Sequence, residues 1–254
     1  MSQSKFDELV DLMKRLRGES GCPWDREQTH KTLRKYLLEE AYEIIETIDE
    51  EKWNELKEEL GDLLLHVVFH SQIASERGEF KISDVLDSII DKIKRRHPHV
   101  FGNVKVKGSE DVRRNWEEIK YNEGRRSRLD GVPRELSALL RARRLQMKAA
   151  EVGFDWEKES DVWSKVEEEL GEFKTACKSG IPEKMEEELG DLLFSLVNLS
   201  RFIDVNPEDA LRKTVTKFVA RFKKIEEELE KEGKKPEDVS LEEMDHIWER
   251  SKID

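Results

Sequence analysis

The sequence predicts an all-α protein that is built from two tandem helical modules. Charged residues make up 41% of its 254 residues and hydrophobic residues 36%, with 13 glycines and 6 prolines. This composition is typical of long amphipathic helices, and apolar residues recur at helical spacing along most of the chain. The heptapeptide EELGDLL also occurs twice, at residues 58–64 and at residues 187–193. A repeat of this kind indicates a duplicated module.

The sequence of the first half of the chain predicts five helices. Glycine, proline and capping residues mark where they begin and end. Gly18 follows the first helix, Gly78 ends the third, and His97-Pro98 terminates the fourth. Ser83 is the expected N-cap of that fourth helix. The predicted helices cover residues 4–16, 27–48, 52–77, 83–96 and 110–121, with loops at 18–25 and 97–109, the second holding at most a short strand at 104–106.

A linker is predicted at residues 122–133, where Gly124, Asp130-Gly131 and Pro133 interrupt the helical pattern. It separates an N-terminal module, residues 1–121, from a C-terminal module, residues 134–254. Because features of the first module return in the second, we expect matching helices there. They are predicted at residues 135–152, 161–179 and 182–202, with a later break at 233–236.

Five features recur in the same order in both halves. One matching heptapeptide could be a coincidence, but five matches in order indicate duplication. The matched pairs are Gly21-Cys22-Pro23-Trp24 with Gly153-Phe154-Asp155-Trp156, helix 27–48 with helix 161–179, helix 52–77 with helix 182–202, Leu86-x5-Lys92-x3-Arg96 with Leu211-x5-Lys217-x3-Arg221, and Trp116-x3-Lys120 with Trp248-x3-Lys252.

Acidic residues occupy positions inside the apolar stripes of four predicted helices. Glu40, for example, lies between Leu37 and Ile44, at a step where an apolar residue would face the core. In each of the four helices a second acid follows three residues later, on the same helix face. The eight acids are Glu40, Glu43, Glu59 and Asp62 in the N-terminal module and Glu169, Glu172, Glu188 and Asp191 in the C-terminal module.

The four carboxylates of each module should converge, because short turns make the two helices that carry them antiparallel neighbours. Carboxylates in a partly dry groove repel one another and take up protons unless another charge cancels theirs. A hard divalent cation does this, and an all-oxygen ligand set favours Mg²⁺ or Mn²⁺ over zinc. The alternative is that the acids lie at the stripe edges and pair with Lys or Arg. Gly61 and Gly190, within these helices, provide either close helix packing or clearance for a metal or phosphate.

Composition also limits the partners and the location of the protein. The formal net charge of −12 argues against a primary role in direct nucleic-acid binding. Cys22 and Cys177 lack metal-like spacing and are expected to be reduced thiols. Residues 1–11 contain no signal-peptide core, and no window approaches the length of a membrane span. We therefore expect a cytoplasmic protein without a membrane partner.

These motifs resemble those of the MazG family of nucleoside triphosphate pyrophosphohydrolases. The resemblance covers nearly the whole chain and includes the tandem arrangement. It is carried by Glu39-Glu40-x2-Glu43 with Glu59-x2-Asp62, by Glu168-Glu169-x2-Glu172 with Glu188-x2-Asp191, and by Gly21-Cys22-Pro23-Trp24-Asp25, Arg95-Arg96-His97-Pro98-His99-Val100-Phe101 and Asp130-Gly131-Val132-Pro133.

The resemblance implies an all-α fold related to the dimeric dUTPases, in which each module contributes to a four-helix bundle of a homodimer or larger homo-oligomer. It implies Mg²⁺-dependent hydrolysis of nucleoside triphosphates, ribo or deoxy, to the monophosphate and pyrophosphate. Trp248 would lie against the base, which predicts low base specificity because every base has a π-face. Lys217 and Arg221 would bind phosphate, and further nucleotide contacts are expected from Lys252, Lys165 and Lys184.

The same resemblance assigns roles to the acids of both modules. The metal ligands would be Glu169, Glu172, Glu188 and Asp191, with Glu40, Glu43, Glu59 and Asp62 as their N-terminal counterparts. The catalytic residues would be Glu168, Glu172, Glu39 and Glu43, of which Glu168 or Glu39 could orient the attacking water. The N-terminal nucleotide contacts would be Lys92, Arg96, Trp116 and Lys120.

No ligand position is lost in either half, so the sequence leaves open which module is active. We rank the C-terminal module higher because only the break at 233–236 interrupts its helical pattern after Arg221, whereas the loop 97–109 separates Arg96 from Trp116. Two other functions also stay open. A di-iron carboxylate bundle would pair Glu with His three residues apart, and no such pair accompanies the acidic motifs. The second is that of a helical module that binds nucleotides only for regulation or dimerisation.

Overall fold

The computed structural model describes residues 4–123 and 127–252. Within those ranges every regular element is helical, and no strand occurs. The all-α prediction is therefore confirmed, and the possible strand at 104–106 is absent. Gly124, which belongs to the predicted linker, lies outside the described residues. None of the described helices is both long enough and apolar enough to cross a membrane.

The packing of the chain divides it into two compact units, with the division after Trp116. The predicted module boundary at residues 122–133 stays a prediction. The helices of the first unit are α1 (Lys5–Arg17), α2 (Pro23–Glu27), α3 (Arg34–Asp49), α4 (Trp53–Glu76), α5 (Ile82–Arg96), α6 (Pro98–Phe101) and α7 (Ser109–Asn122), the last of which runs across the division.

The second unit repeats a long antiparallel helix pair and adds a helical hairpin. Its helices are α8 (Ala138–Ala150), α9 (Glu159–Ser179), α10 (Pro182–Phe202), α11 (Pro207–Lys231) and α12 (Leu241–Arg250), with a single 3₁₀ turn at Pro236–Asp238 between the last two. Helix α9 packs mainly on α10, which also contacts α8, while α11 packs on α8 and α12. The acid-bearing helices of each unit, α3 with α4 and α9 with α10, are thus direct neighbours.

Each unit has its own hydrophobic core, to which its acid-bearing helices contribute. In the first unit, five side chains that are at most 4% exposed form one cluster between α1, α3 and α4: Met13, Leu33, Val68, Phe69 and Ile73. In the second unit the corresponding cluster on α9 and α10 is smaller and comprises Val162, Val166 and Leu199. A third cluster, centred on Leu229, joins α11 to α12.

The prediction of a single helix over residues 27–48 is wrong, since α2 ends at Glu27 and α3 begins at Arg34. Two threonines form the turn between them. The Thr29 backbone N–H donates to Thr32 Oγ1 at 2.9 Å, and the Thr32 N–H donates to Thr29 Oγ1 at 3.2 Å. Such side-chain bonds satisfy backbone groups locally and compete with helix formation.

The predicted N-cap at Ser83 is also wrong. The N-cap of α5 is Lys81, because the Asp84 carboxylate accepts a hydrogen bond from the Lys81 backbone N–H at 2.8 Å. The helix therefore begins at Ile82, one residue before the expected cap.

Candidate metal and nucleotide site

Three carboxylates of the second unit converge between α9 and α10. Glu169 and Glu172 are one turn apart on α9, and Glu188 faces them from α10, so that one oxygen of each lies within 4.8 Å of the others. Glu169 is buried, with 6% of its surface exposed. Ligands of one Mg²⁺, bound at about 2.1 Å, lie up to about 4.2 Å apart, so a small adjustment would let the three oxygens share a cation.

The carboxylates of this cluster repel one another. Burial raises the pKa of the Glu188 carboxyl above its usual value, and the nearby charges of Glu172 and Asp191 raise it further. Asp191, the fourth predicted acid, is exposed on α10. It affects the cluster because its charge raises the pKa of Glu188. A bound divalent cation would reverse this effect by favouring the charged form of the carboxylates.

Lys165 stands one turn before the cluster on α9. Its ammonium donates to Glu168 at 2.8 Å and forms an ion pair with Glu169 at 2.7 Å. These hydrogen bonds raise the pKa of Lys165, so it stays charged at neutral pH. The alternative to a metal site was that the acids pair with Lys or Arg. Glu169 does form such a pair, although its partner Lys165 lies on the same helix.

The first unit forms a second cluster of the same kind. Glu40 and Glu43 on α3 and Glu59 on α4 bring one oxygen each within 4.8 Å of the others. The pKa of Glu40 is raised by burial first and then by the charge of Asp62, and the pKa of Glu59 is raised by burial and by Glu43. Here a histidine stands near the cluster, with His66 Nε2 3.9 Å from Glu40 Oε1.

The chemistry of the donors fits a hard cation. In the described part of the chain, both groups that could hold a metal consist of carboxylates alone, which suits Mg²⁺ or Mn²⁺ and lacks the Glu–His pairs of a di-iron bundle. Gly61 and Gly190 lie next to the acids, and a Cβ added at either would meet nothing within 4 Å. Close packing within the chain therefore does not require these glycines.

Of the basic and aromatic residues predicted in the second unit, Lys217, Arg221 and Trp248 lie on the α11–α12 hairpin, whereas Lys165 is on α9 and Lys184 on α10. Trp248 packs on the core around Leu229, its ring 5.4 Å from that of Phe218, and the Arg221 guanidinium lies 5.5 Å from the Trp248 ring centre. Lys217 is exposed on the same helix. Lys252 is paired with Glu249 after α12, and Lys184 is exposed in the first turn of α10.

The first unit repeats the arrangement of a basic residue over a tryptophan. The Arg96 guanidinium lies 5.7 Å from the Trp116 ring centre, and His97 meets the same ring edge-on at 4.8 Å. The duplication therefore extends to contacts, because Arg96 and Trp116 correspond to Arg221 and Trp248. Lys92 is exposed on α5, Lys120 is half-buried on α7, and the glutamates expected to orient water, Glu39 and Glu168, are exposed.

A cavity of about 700 Å³ opens directly beside the acids of the second unit. It lies between α8, α9, α10 and the segment that precedes α9, and Glu169, Asp191 and Lys165 form one side. The rest of its lining was not among the predicted site residues and includes Gln146, Trp156, Phe194, Asn198 and Arg201. Of these, only Trp156 had a signal in the sequence, as the counterpart of Trp24 in the repeat.

A histidine stands beside the acids of the first unit. His66 occupies the position in the first repeat that Ser195 occupies in the second, and Ser195 lines the cavity. The His66 side chain is 8% exposed and faces Glu40. Burial lowers the pKa of His66, so a neutral imidazole fills this position. A cavity of about 520 Å³ does occur along residues 28–38, and none of the acids of the cluster lines it.

Comparison with known proteins agrees with the geometry. The model of the MazG nucleotide pyrophosphohydrolase domain matches the chain twice, at residues 28–101 and 158–226. The chain is 51% identical over 250 residues to the nucleoside triphosphate pyrophosphohydrolase/pyrophosphatase MazG of Thermotoga maritima, covering 97% of this chain and 95% of that protein. It is 43% identical over 256 residues to the nucleoside triphosphate pyrophosphohydrolase of Escherichia coli K12, covering 98% and 97%.

A more distant relative, the nucleoside triphosphate pyrophosphohydrolase of Mycolicibacterium smegmatis, is 33% identical over 244 residues, which are 94% of this chain and 64% of that protein. The two domain matches contain both clusters of three carboxylates. They confirm the resemblance that the acidic motifs indicated, and the chain therefore belongs to the MazG family.

Proposed function

We propose that the protein hydrolyses nucleoside triphosphates to the monophosphate and pyrophosphate with the help of Mg²⁺, for which Mn²⁺ is a suitable substitute. The observation that carries this proposal is the cluster of three carboxylates at cation-ligand distances, formed twice by the two acid-bearing helix pairs. Close relatives over nearly the whole chain carry the name of this activity. The proposal covers ribo- and deoxyribonucleotides.

Glu169, Glu172 and Glu188 would hold the cation, with Asp191 completing the set from the exposed side of α10. When bound, such an ion neutralises phosphate charge and lowers the pKa of a coordinated water. Lys165 keeps Glu169 and Glu168 in place through its two short contacts. Glu168, the neighbour of Glu169 in the chain, is the residue that we propose accepts a proton from the attacking water.

We assign turnover to the C-terminal module. Its acids border a cavity of about 700 Å³, within the range of small-molecule sites, whereas in the first unit the larger, buried His66 stands at the position of Ser195. The N-terminal module keeps all of its acids and would bind the cation with a smaller contribution to turnover. The alternative, that this module only binds nucleotides, is distinguished by the variants described below.

Helix α11, which carries Lys217 and Arg221, also supports a homodimer. Its apolar stripe is 45% to 56% exposed in the single chain and is formed by Leu211, Val215, Phe218 and Val219. Monomeric proteins rarely leave a continuous stripe of this kind in water, and a second copy would cover it. Lys217 and Arg221 keep their proposed phosphate-binding roles, and Trp248 keeps its proposed contact with the nucleotide.

The reaction itself is tested with a panel of ribo- and deoxyribonucleoside triphosphates in Mg²⁺. We expect release of pyrophosphate and the monophosphate from substrates with different bases, because the acids act on the phosphates that all of them share. The products are separated by ion-exchange chromatography. Release of the diphosphate and inorganic phosphate would contradict the proposed reaction.

Replacing Glu188 by Gln should lower kcat/KM by at least about 100-fold, because the amide keeps the size but removes the negative charge from the cluster. Glu186→Gln, on an exposed position of the same helix, is the matched control and should retain activity. Glu59→Gln makes the equivalent change in the first unit and should leave most of the activity. If Glu59→Gln is the damaging change, turnover belongs to the N-terminal module instead.

The raised pKa values of Glu40, Glu59 and Glu188 predict how stability depends on pH without metal. The folded state binds these protons more tightly than the unfolded chain, whose glutamates titrate near 4.5. The free energy of unfolding should therefore fall as pH rises from 4.5 through the raised values.

Mg²⁺ should remove this penalty, so it should raise Tm at pH 7.5 and much less at pH 5, as measured by calorimetry with and without EDTA. The double variant Glu59→Gln and Glu188→Gln should lose most of the increase. An equal increase at both pH values, or none at pH 7.5, would contradict a cation at these carboxylates.

The proposed dimer is tested by placing a charge in the α11 stripe. Val215→Glu should shift the protein from dimer to monomer in light scattering, because the carboxylate would be buried in the interface. Ala220→Glu is the matched control, since residue 220 is exposed on the opposite face of α11. A monomeric wild-type protein, or a Val215→Glu variant that stays dimeric, would contradict the assignment.

A further inference from the structure

We propose that the side-chain oxygen of Gln146 accepts a hydrogen bond from the exocyclic amino group of the substrate's base. The inference rests on the proposed function and adds a residue that reads the base. It predicts that substrates carrying an amino group on the six-membered ring, such as adenine and cytosine nucleotides, are preferred over the same nucleotides without that group.

The orientation of the Gln146 amide is fixed by its surroundings. Gln146 lies on α8 and is only 8% exposed, and its Nε2 donates to the Phe194 carbonyl oxygen at 2.8 Å. Because a carbonyl oxygen can only accept, the amide nitrogen must face Phe194. Oε1 then points away from that bond, and within the described chain this buried atom has no hydrogen-bond partner.

A buried acceptor without a partner is costly, and native proteins leave few of them. Gln146 lines the same cavity as Glu169 and Asp191. Its oxygen is itself buried, so contact with a ligand requires a small movement of the lining. With the phosphates held at the acids, our proposal places the base of the nucleotide at Gln146.

The walls around Gln146 suit a flat aromatic ring. Trp156, Phe154 and Phe194 line the cavity, and all three are more than 40% exposed in the structure. A base packed against them would bury apolar surface and gain stacking energy without regard to its identity. Selection among bases then depends on the polar groups of the lining.

Other polar side chains of the lining already take part in hydrogen bonds. Asn198 Oδ1 accepts from Arg201 Nε at 3.1 Å and from Arg201 Nη2 at 3.0 Å. Arg201 also pairs with Asp155, and the Ser195 hydroxyl donates to the Leu192 carbonyl at 2.8 Å. Among the described lining residues, Gln146 Oε1 is the buried side-chain acceptor that has no hydrogen-bond partner.

The test compares substrates that differ only by the amino group. The pairs are ATP with purine riboside triphosphate and CTP with 2-pyrimidinone riboside triphosphate, each assayed for pyrophosphate release. We expect loss of the amino group to lower kcat/KM by about 10-fold or more in at least one pair for the wild-type protein. Gln146→Met, which keeps the length of the side chain but removes the acceptor, should abolish that difference.

Gln72→Met is the matched control, since Gln72 in the first unit bonds Glu76 rather than lining this cavity. It should retain the wild-type discrimination. Hydrolysis of purine riboside triphosphate by Gln146→Met shows that the variant is folded. Equal rates within both pairs for the wild-type protein, or discrimination that survives in Gln146→Met, would overturn the inference while leaving the hydrolytic function intact.

The affinity of the protein for both members of each nucleotide pair is also measured by calorimetry, with Ca²⁺ in place of Mg²⁺. This measures the contact with the base without requiring turnover. A preference for the amino form that Gln146→Met removes would support the base contact even if no pyrophosphate were released, in which case only the proposed reaction fails. Equal binding of both members of each pair would overturn the contact. That result is expected if an ordered water alone satisfies Gln146.

Discussion

The repulsion among carboxylates held between paired helices is the constraint on which the rest of the site depends. Glu169, Glu172 and Glu188 stand where the apolar stripes of α9 and α10 would otherwise meet, and the pKa of Glu188 is raised as a result. An arrangement that opposes folding in this way persists when it serves another purpose. Cation binding is the purpose that we propose for it.

Duplication gave both units the same acids but different surroundings. In the second unit, Lys165 bonds Glu169 and the space behind the acids is open, with the small Ser195 at its wall. In the first, the buried His66 faces Glu40 at the position that corresponds to Ser195. The ligand set alone therefore does not determine what a module does. The residues behind it decide whether a substrate has room to enter.

The acids were predictable from the sequence because their signal is local. A charged residue at a position where the apolar face of a helix should continue can be recognised from the sequence of that helix alone. The repeat then shows which helices form a pair. The role that we propose for Gln146 was not predictable, since it depends on α8 meeting the Phe194 carbonyl of α10, a contact across 48 positions. The start of α3 was missed for another reason, because the Thr29–Thr32 bonds outweigh an otherwise helical pattern.

Anomalous diffraction from crystals soaked in Mn²⁺ tests most directly whether the repeated acidic motif is a cation site. We expect a peak between Glu169, Glu172 and Glu188 and a second between Glu40, Glu43 and Glu59, each within about 2.2 Å of carboxylate oxygens, as is usual for small divalent cations. Crystals with strong Mn²⁺ peaks elsewhere and none at either cluster would contradict the assignment. The acids would then need a structural explanation.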